Sequence, residues 1–245
     1  MTEGKITALA YMQRISELLA SVVRDELGAI REAGRICAEV IDDDGMIYVF
    51  GTGHSHMLAE EGHYRAGGLA CVCPILASSL MLHEGAAAST GLERQSGLAE
   101  VVFSRYPVGG NDVVIVFSNS GINAVPVEAE AYARMRGART IAVLSKEYAE
   151  ARKKPNATTI ADNADVAIDN HLPPGDAIVP MPNDLAIGAG STALGAFILN
   201  AIFAEALGQV RDPDAVPIYI SGNMKGAKEH NAGLVQRYRA RNPHL

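Results

Sequence analysis

The sequence predicts a three-layer α/β sandwich, in which helices cover both faces of a mostly parallel sheet. Two observations support this fold class. Short runs rich in β-branched residues alternate with stretches of helical periodicity, and several of these runs are apolar at every position. Val113–Phe117 is the clearest run, and a strand without polar alternation is expected where helices cover both faces of the sheet. A helical extension precedes this alternating part.

The elements can be assigned in chain order. Residues 3–41 carry apolar side chains at helical spacing, which predicts one long or two consecutive amphipathic helices. The predicted strands are Met46–Phe50, Ala70–Ile75, Asp112–Phe117, Arg139–Leu144 and Asp165–Ile168. The predicted helices run from about Ser55 to Leu69, over Leu92–Tyr106, over Ala124–Arg136 and over 184–207. Two longer loops, 77–91 and 170–182, follow strand ends, where sites usually lie.

One domain is expected for a chain of 245 residues. It would comprise a helical extension over 1–41, an αβα core over 42–210 and a C-terminal tail with a helix over 211–245. No charge occurs between Asp184 and Glu205, about the length of a membrane-spanning helix. Glycines and hydroxyl residues dilute that run and no basic cluster flanks it, so it predicts a buried helix and no membrane partner.

Charge and cysteine content narrow the class of protein. Lys and Arg total 21 against 28 Asp and Glu, a formal net charge of -7, which argues against a nucleic-acid partner. The three cysteines are odd in number, and Cys71-x-Cys73 lacks the spacing of a zinc or redox motif. We therefore expect buried thiols in a reducing, cytoplasmic setting. The acidic N-terminal region does not resemble a signal peptide.

A first glycine turn follows the first strand. Gly51-Thr52-Gly53-His54-Ser55 leads from strand to helix, where free backbone N–H groups favour an anion and glycines allow close approach. The dinucleotide fingerprint would need glycine where His56 stands, and the second strand ends without the acidic residue that binds a ribose. The GxxxxGK phosphate-binding motif is absent as well. No cofactor is therefore expected.

A second turn, Ser118-Asn119-Ser120-Gly121-Ile122-Asn123, follows the third strand and opens a helix. One polar residue is enough to cap a helix, whereas this turn supplies several hydroxyl and amide groups. Such donors at a helix N-terminus can bind phosphate without lysine. Because both turns lie at carboxyl ends of strands in one sheet, we expect them to face a single crevice.

These two turns resemble the phosphate-binding turns of the SIS (sugar isomerase) domain family, over roughly residues 40–210. Chain length and the N-terminal helical pair are most similar to the phosphoheptose isomerases. A bacterial SIS-domain group related to them is more similar still, through GHSHMLAEE, LMLHEGA and EHNAGLVQRYR. The resemblance implies a phosphorylated sugar as partner, with Ser55, Ser118, Ser120 and Asn123 holding the phosphate and Ser191 and Thr192 lining the sugar side. The other predicted binding residues are Gly51, Gly53, Asn119 and Gly121 of the same two turns.

Aldose–ketose isomerisation needs a base beside the substrate carbonyl and an acid that moves protons between oxygens. Glu61, bordering the apolar face of its helix, is the predicted base, although an ordinary ion pair with Arg65 explains it equally well. Phosphoheptose isomerases carry their helix glutamate where this chain has Arg65, and their late-helix histidine has no counterpart in 191–207. His83, Glu84 or His230 would supply the acid, and His230 could act in a neighbouring subunit.

His56, Glu60 and His63 have i, i+4, i+7 spacing, so a divalent metal is one interpretation and a polar outer helix face is the other, which we prefer. No metal site is therefore predicted.

Three functions remain open. The leading hypothesis is a sugar-phosphate isomerase. An amino-sugar-phosphate lyase or etherase also begins by removing a proton beside a carbonyl, and a non-catalytic phosphosugar sensor would only bind. The apolar faces of the N-terminal helices predict a homodimer or homotetramer.

Overall fold

The computed structural model describes residues 7–245, apart from the side chain of Asn183, so the part of the predicted N-terminal helix over residues 3–6 lies outside the described residues. A parallel sheet of five strands in the order β2-β1-β3-β4-β5 forms its centre. The strands are β1 Ile47–Gly51, β2 Val72–Ile75, β3 Val113–Phe117, β4 Arg139–Leu144 and β5 Val166–Asp169. This is the flavodoxin-like strand order, whose connection reverses direction between β1 and β3.

Within residues 7–245 the chain forms nine α-helices. They are α1 Ala8–Asp25, α2 Leu27–Asp42, α3 His56–Gly62, α4 Ala86–Leu92, α5 Leu98–Phe103, α6 Ala124–Met135, α7 Lys146–Arg152, α8 Ser191–Leu207 and α9 Ala227–Tyr238. Helices α2 and α3 pack on one face of the sheet with α8 between them, and α6 packs on the other face with α5 against it. The predicted three-layer sandwich is confirmed.

The apolar strand runs form the centre of the core, as predicted. Every residue of β1, β2 and β3 is buried, and β4 has the predicted bounds. The other four strands begin or end within two residues of the predicted positions. The three cysteines are buried free thiols, and burial raises the pKa of Cys71 to about 12, so this thiol is not a reactive one at neutral pH.

Two predicted helices are wrong in extent because glycines and long-range contacts interrupt them. The helix predicted from Ser55 to Leu69 ends at Gly62. Beyond it, Tyr64 has a positive φ of 44° and Leu69 pairs with Ile218 in an antiparallel bridge. The helix predicted over Leu92–Tyr106 is split into α4 and α5, because Gly97 adopts the left-handed conformation before α5.

The helix predicted over 184–207 is also shorter. Within this predicted range, Ala186–Ala189 forms strand β7, which pairs antiparallel with β6 Ala177–Pro180. The helix α8 begins only at Ser191. Tyr11 holds the hairpin against α1 through a 2.9 Å hydrogen bond from its hydroxyl to the carbonyl of Ala189. Nothing among the helices of residues 7–245 combines the length and apolar character needed to cross a membrane.

The C-terminal segment is fastened along the β2 edge of the sheet. Arg237 and Arg241 pair with Asp44 at 2.7 and 3.3 Å, so α9 is tied to the turn before β1. His244 Nε2 lies 2.8 Å from the hydroxyl of Tyr106. Its ring also lies 6.3 Å from that of His63, centroid to centroid. Burial lowers the pKa of both histidines from the ordinary value of 6.5.

This histidine pair predicts acid sensitivity. Since both pKa values lie below 6.5 in the folded chain, the unfolded chain binds more protons as pH falls from 6.5 through the folded pKa values, and folding stability is lost in that window. Urea unfolding at several pH values should show His63→Gln with a shallower loss of unfolding free energy between pH 7 and 5 than the wild type. The matched control is His83→Gln, on an exposed loop. An unchanged slope in His63→Gln would contradict the account.

Candidate functional site

The two predicted turns lie side by side because β1 and β3 are paired in parallel. Gly51, the last residue of β1, is opposite Phe117, the last residue of β3. A Cβ atom at Gly51 would lie 2.4 Å from the carbonyl oxygen of Ser55, so only glycine lets the first turn fold this tightly. Together the turns form two walls of an open crevice of about 630 Å³. This is the place where ligands of doubly wound sheets bind.

Most of the predicted binding residues line this crevice. Those in its wall are Gly53, Ser55, Ser118, Asn119, Ser120, Asn123 and Ser191. Gly51 and Gly121 belong to the two turns but are buried and do not line the crevice. Thr192 follows Ser191 on α8 and does not line it either. The two turns therefore face one crevice in the structure, as the sequence predicts. The binding role of each side chain stays a prediction.

The second turn presents unused backbone donors. Gly121 has a φ of 67°, and its N–H donates to Ser118 Oγ at 3.2 Å, which closes the turn. The backbone N–H groups of Ser120, Ile122 and Asn123 donate no hydrogen bond within residues 7–245. Asn123 precedes α6, and its side chain does not cap that helix. The turn therefore combines free N–H groups with the positive end of a 12-residue helix, an arrangement suited to an anion.

Glu93, which the sequence reasoning missed, bridges the two turns. Its Oε2 accepts a 2.7 Å hydrogen bond from Thr52 Oγ1 in the first turn, and its Oε1 accepts one of 2.9 Å from Asn123 Nδ2 in the second. Its backbone carbonyl also accepts from Val125 N–H at 3.0 Å. Each carboxylate oxygen keeps a further lone pair, so the group can still accept a proton in the crevice. The only local signal was its position just beyond the predicted site loop 77–91.

Asp176 closes the far side of the crevice. Its carboxylate accepts hydrogen bonds of 3.1, 2.8 and 2.7 Å from Gly190 N, Ser191 N and Ser191 Oγ, all at the N-terminus of α8. This satisfies free donors of that helix and uses the hydroxyl proton of Ser191. Asp176 has a φ of 70°, a strained value that these contacts maintain. Ser191 therefore faces the crevice as a partner of Asp176.

Cationic side chains stand at the mouth of the crevice. Arg94 and Arg152 both line it and are exposed, and no carboxylate among residues 7–245 lies within ion-pair distance of either guanidinium. His54, in the first turn, is exposed on the same surface. An acidic chain thus places basic groups where an anion would enter, which favours its approach.

The predicted acid–base residues lie outside this crevice wall. Glu61 pairs with Arg65 and accepts a 3.3 Å hydrogen bond from Asn200 on α8. His83 and Glu84 are exposed on the loop beside Leu82, which does line the crevice. His230, on α9, hydrogen-bonds the carbonyl of Ile218 at 2.8 Å through Nε2. Their catalytic roles stay predictions that would need a moving loop or a second subunit.

The metal interpretation of His56, Glu60 and His63 loses its geometric basis. It required one helical face through residue 63, but α3 ends at Gly62 and His63 has extended backbone. His56 Nε2 and Glu60 Oε2 are 3.7 Å apart, while the His63 ring packs against that of His244. Across residues 7–245 no three His, Cys, Asp or Glu side chains gather in a way that could hold a metal ion.

The parallel sheet and the layers of helices around it are those of an α/β protein of the SIS-domain kind. A model of the SIS domain matches residues 10–145, more than half of the chain, so the chain belongs to the SIS-domain family. Its relatives include a UPF0309 protein of Brucella anthropi, 52% identical over 203 residues, which cover 82% of this chain and 84% of that protein. A UPF0309 protein of Brucella canis is 47% identical over 227 residues, covering 92% and 93%.

Solved structures with a similar fold include two phosphoheptose isomerases. That of Neisseria gonorrhoeae has a TM-score of 0.52 at 19% identity, over 81% of this chain and 94% of its own. That of Francisella tularensis has a TM-score of 0.51 at 14% identity, over 82% and 98%. At these identities the likeness concerns the fold.

The Asp176 cap makes a stability prediction. Asp176→Ala should lower the free energy of unfolding by about 1–2 kcal/mol, because the N–H and hydroxyl of Ser191 lose their acceptor, while Gly190 N–H keeps only the backbone carbonyl of residue 176. Asp176→Asn should lose less, because its amide oxygen still accepts and asparagine tolerates positive φ. Urea denaturation of both variants measures the difference. Equal stability of Asp176→Ala and wild type would show that the cap is not stabilising.

Proposed function

We propose that this protein binds a phosphorylated sugar in the crevice between β1 and β3 and interconverts its aldose and ketose forms. The observation that carries the proposal is the convergence of both turns on one crevice, with Glu93 held between them. Free N–H groups of the second turn and the hydroxyls of Ser55 and Ser120 would bind the phosphoryl oxygens. Membership of the SIS-domain family supports the same ligand class.

Glu93 is the base that fits this geometry. Hydrogen bonds from Thr52 and Asn123 fix both carboxylate oxygens, so the group is oriented before substrate arrives. In the proposed reaction it takes the proton from the carbon beside the substrate carbonyl, giving an enediolate and a protonated Glu93. It then returns the proton to the neighbouring carbon, so that the carbonyl moves by one position and no atom is lost.

A second group must move a proton between the two substrate oxygens. His54 is the histidine that lines the crevice among the described residues, and we assign it this acid role. His230 stays the alternative, because it could reach a neighbouring subunit's crevice. Exposed apolar side chains on α1, including Leu9 at 61% and Met12 at 63% exposure, support the proposed homo-oligomer.

Ligand binding tests the first part of the proposal. Thermal unfolding with ribose 5-phosphate, glucose 6-phosphate, fructose 6-phosphate and sedoheptulose 7-phosphate should show a raised melting temperature for at least one of them. The matching sugars without phosphate should cause no shift, since the free N–H groups would lack an anionic partner. No shift with any phosphosugar at millimolar concentration would contradict the proposal.

Catalysis tests the second part. Glu93→Gln should lower kcat for the interconverted phosphosugar by about 10²–10⁴-fold, the usual contribution of a positioned base. Phosphosugar binding should persist, because the glutamine oxygen can still accept from Asn123 Nδ2, while its NH₂ group can donate to the Thr52 hydroxyl, which accepts as well as donates. Glu61→Gln is the matched control, a carboxylate outside the crevice wall, and should keep its activity.

The opposite pattern, with activity lost in Glu61→Gln and kept in Glu93→Gln, would restore Glu61 as the base. Binding of a phosphosugar without turnover would favour a sensor. Release of ammonia or lactate from an amino-sugar phosphate would favour a lyase or etherase.

A further inference from the structure

A buried amide group in the second turn lacks a hydrogen-bond acceptor. The Nδ2 atom of Asn119 is buried and makes no hydrogen bond within residues 7–245. In native proteins almost all buried hydrogen-bond donors have an acceptor. A buried donor without one therefore indicates a partner such as a bound ligand. The other atom of the same amide, Oδ1, accepts a 2.9 Å hydrogen bond from Asn170 Nδ2.

Asn170 determines which way the Asn119 amide faces. Asn170 is only 4% exposed, and its Oδ1 accepts a 3.1 Å hydrogen bond from the backbone N–H of Leu172. Because a backbone N–H can only donate, the Asn170 atom facing it must be oxygen, and the atom facing Asn119 must be the NH₂ group. Asn119 has to meet that NH₂ with its oxygen. Its own NH₂ is therefore turned away from Asn170.

A narrow space beside this amide can take one oxygen atom. It measures about 10 Å³, close to the volume of a single water-sized sphere. Three hydroxyl side chains, Ser55, Ser118 and Ser191, line it together with Asn119 and Asn170. The same three serines and Asn119 also line the crevice, so the space adjoins the proposed ligand site.

We propose that Asn119 donates one amide N–H to a phosphoryl oxygen of the ligand, and that Asn170 is the positioning residue that holds the amide in the donating orientation. The inference rests on the proposed function. Phosphoryl oxygens of a phosphate monoester are acceptors, so a donor at this point attracts the group and an acceptor repels it. Asn170, which lies outside the crevice wall, thereby sets the polarity of the site.

The control of the Asn119 amide orientation by Asn170 is called the relay below. Asn170→Asp tests it because this substitution keeps the side-chain shape and replaces the NH₂ group by an acceptor. The aspartate still accepts from Leu172, but its second oxygen now needs a donor, so the Asn119 amide rotates and presents oxygen to the ligand. Isothermal titration with inorganic phosphate should show affinity weakened about tenfold or more. The added negative charge also weakens binding, so the same substitution is measured in an Asn119→Ala background.

In that background no amide remains to be rotated, and Asn170→Asp should weaken phosphate binding much less than in the wild type. If Asn170→Asp weakens phosphate affinity by the same factor in both backgrounds, the relay is overturned, because the added charge alone would then explain the effect. Asn119→Ala by itself should also weaken binding about tenfold, and unchanged affinity in this variant would overturn the proposal even if Asn170→Asp fails to fold.

Asn242→Asp is the matched control. Asn242 is 1% exposed and has the same pattern, with Oδ1 accepting from His244 N at 3.0 Å and Nδ2 donating to the Val72 carbonyl at 3.3 Å. It lies outside the crevice wall, so this variant should lose stability and keep its phosphate affinity. A wild type that binds neither phosphate nor any phosphosugar would overturn the proposed function itself. A wild type that binds, with no coupling between Asn119 and Asn170, would overturn only the relay.

Discussion

The parallel pairing of β1 with β3 is the constraint on which the candidate site depends. Their register brings Gly51 opposite Phe117, so the chain leaves both strands at the same edge of the sheet and turns twice within one crevice. Both strands are fully buried, and the hydrophobic burial that stabilises the fold therefore fixes the geometry of the turns as well. Glu93 then ties one turn to the other through Thr52 and Asn123.

The acidic composition and the proposed phosphate site are compatible for a physical reason. A net charge of -7 describes the whole surface, whereas the crevice combines backbone N–H groups, hydroxyls and the exposed guanidinium groups of Arg94 and Arg152. Backbone N–H groups carry no formal charge, and the fold holds them in place. One small anion can therefore be bound without a basic surface. The internal carboxylate Asp176 accepts from the comparable donors of α8, whereas the second turn has no such internal acceptor among residues 7–245.

The sequence predicted the features that depend on local pattern. The strand Arg139–Leu144 has the predicted bounds, and the other four strands of the parallel sheet lie within two residues of theirs. The two polar turns follow the ends of β1 and β3, as predicted. It failed where contacts distant in the chain decide the outcome. The α3 helix ends at Gly62 because the following segment pairs with Ile218, which no local periodicity encodes. Glu93 was missed for the same reason, since its side-chain partners are 41 and 30 residues away.

In the proposed function the two turns bind the phosphoryl group together. Backbone amide chemical shifts of the labelled protein, recorded while inorganic phosphate is added, test it most directly. The largest shifts should occur at residues 53–55 and 120–123, in the two turns that line the crevice. Shifts confined to the basic surface of α9 around Lys228 and Arg239, with none in the turns, would contradict it.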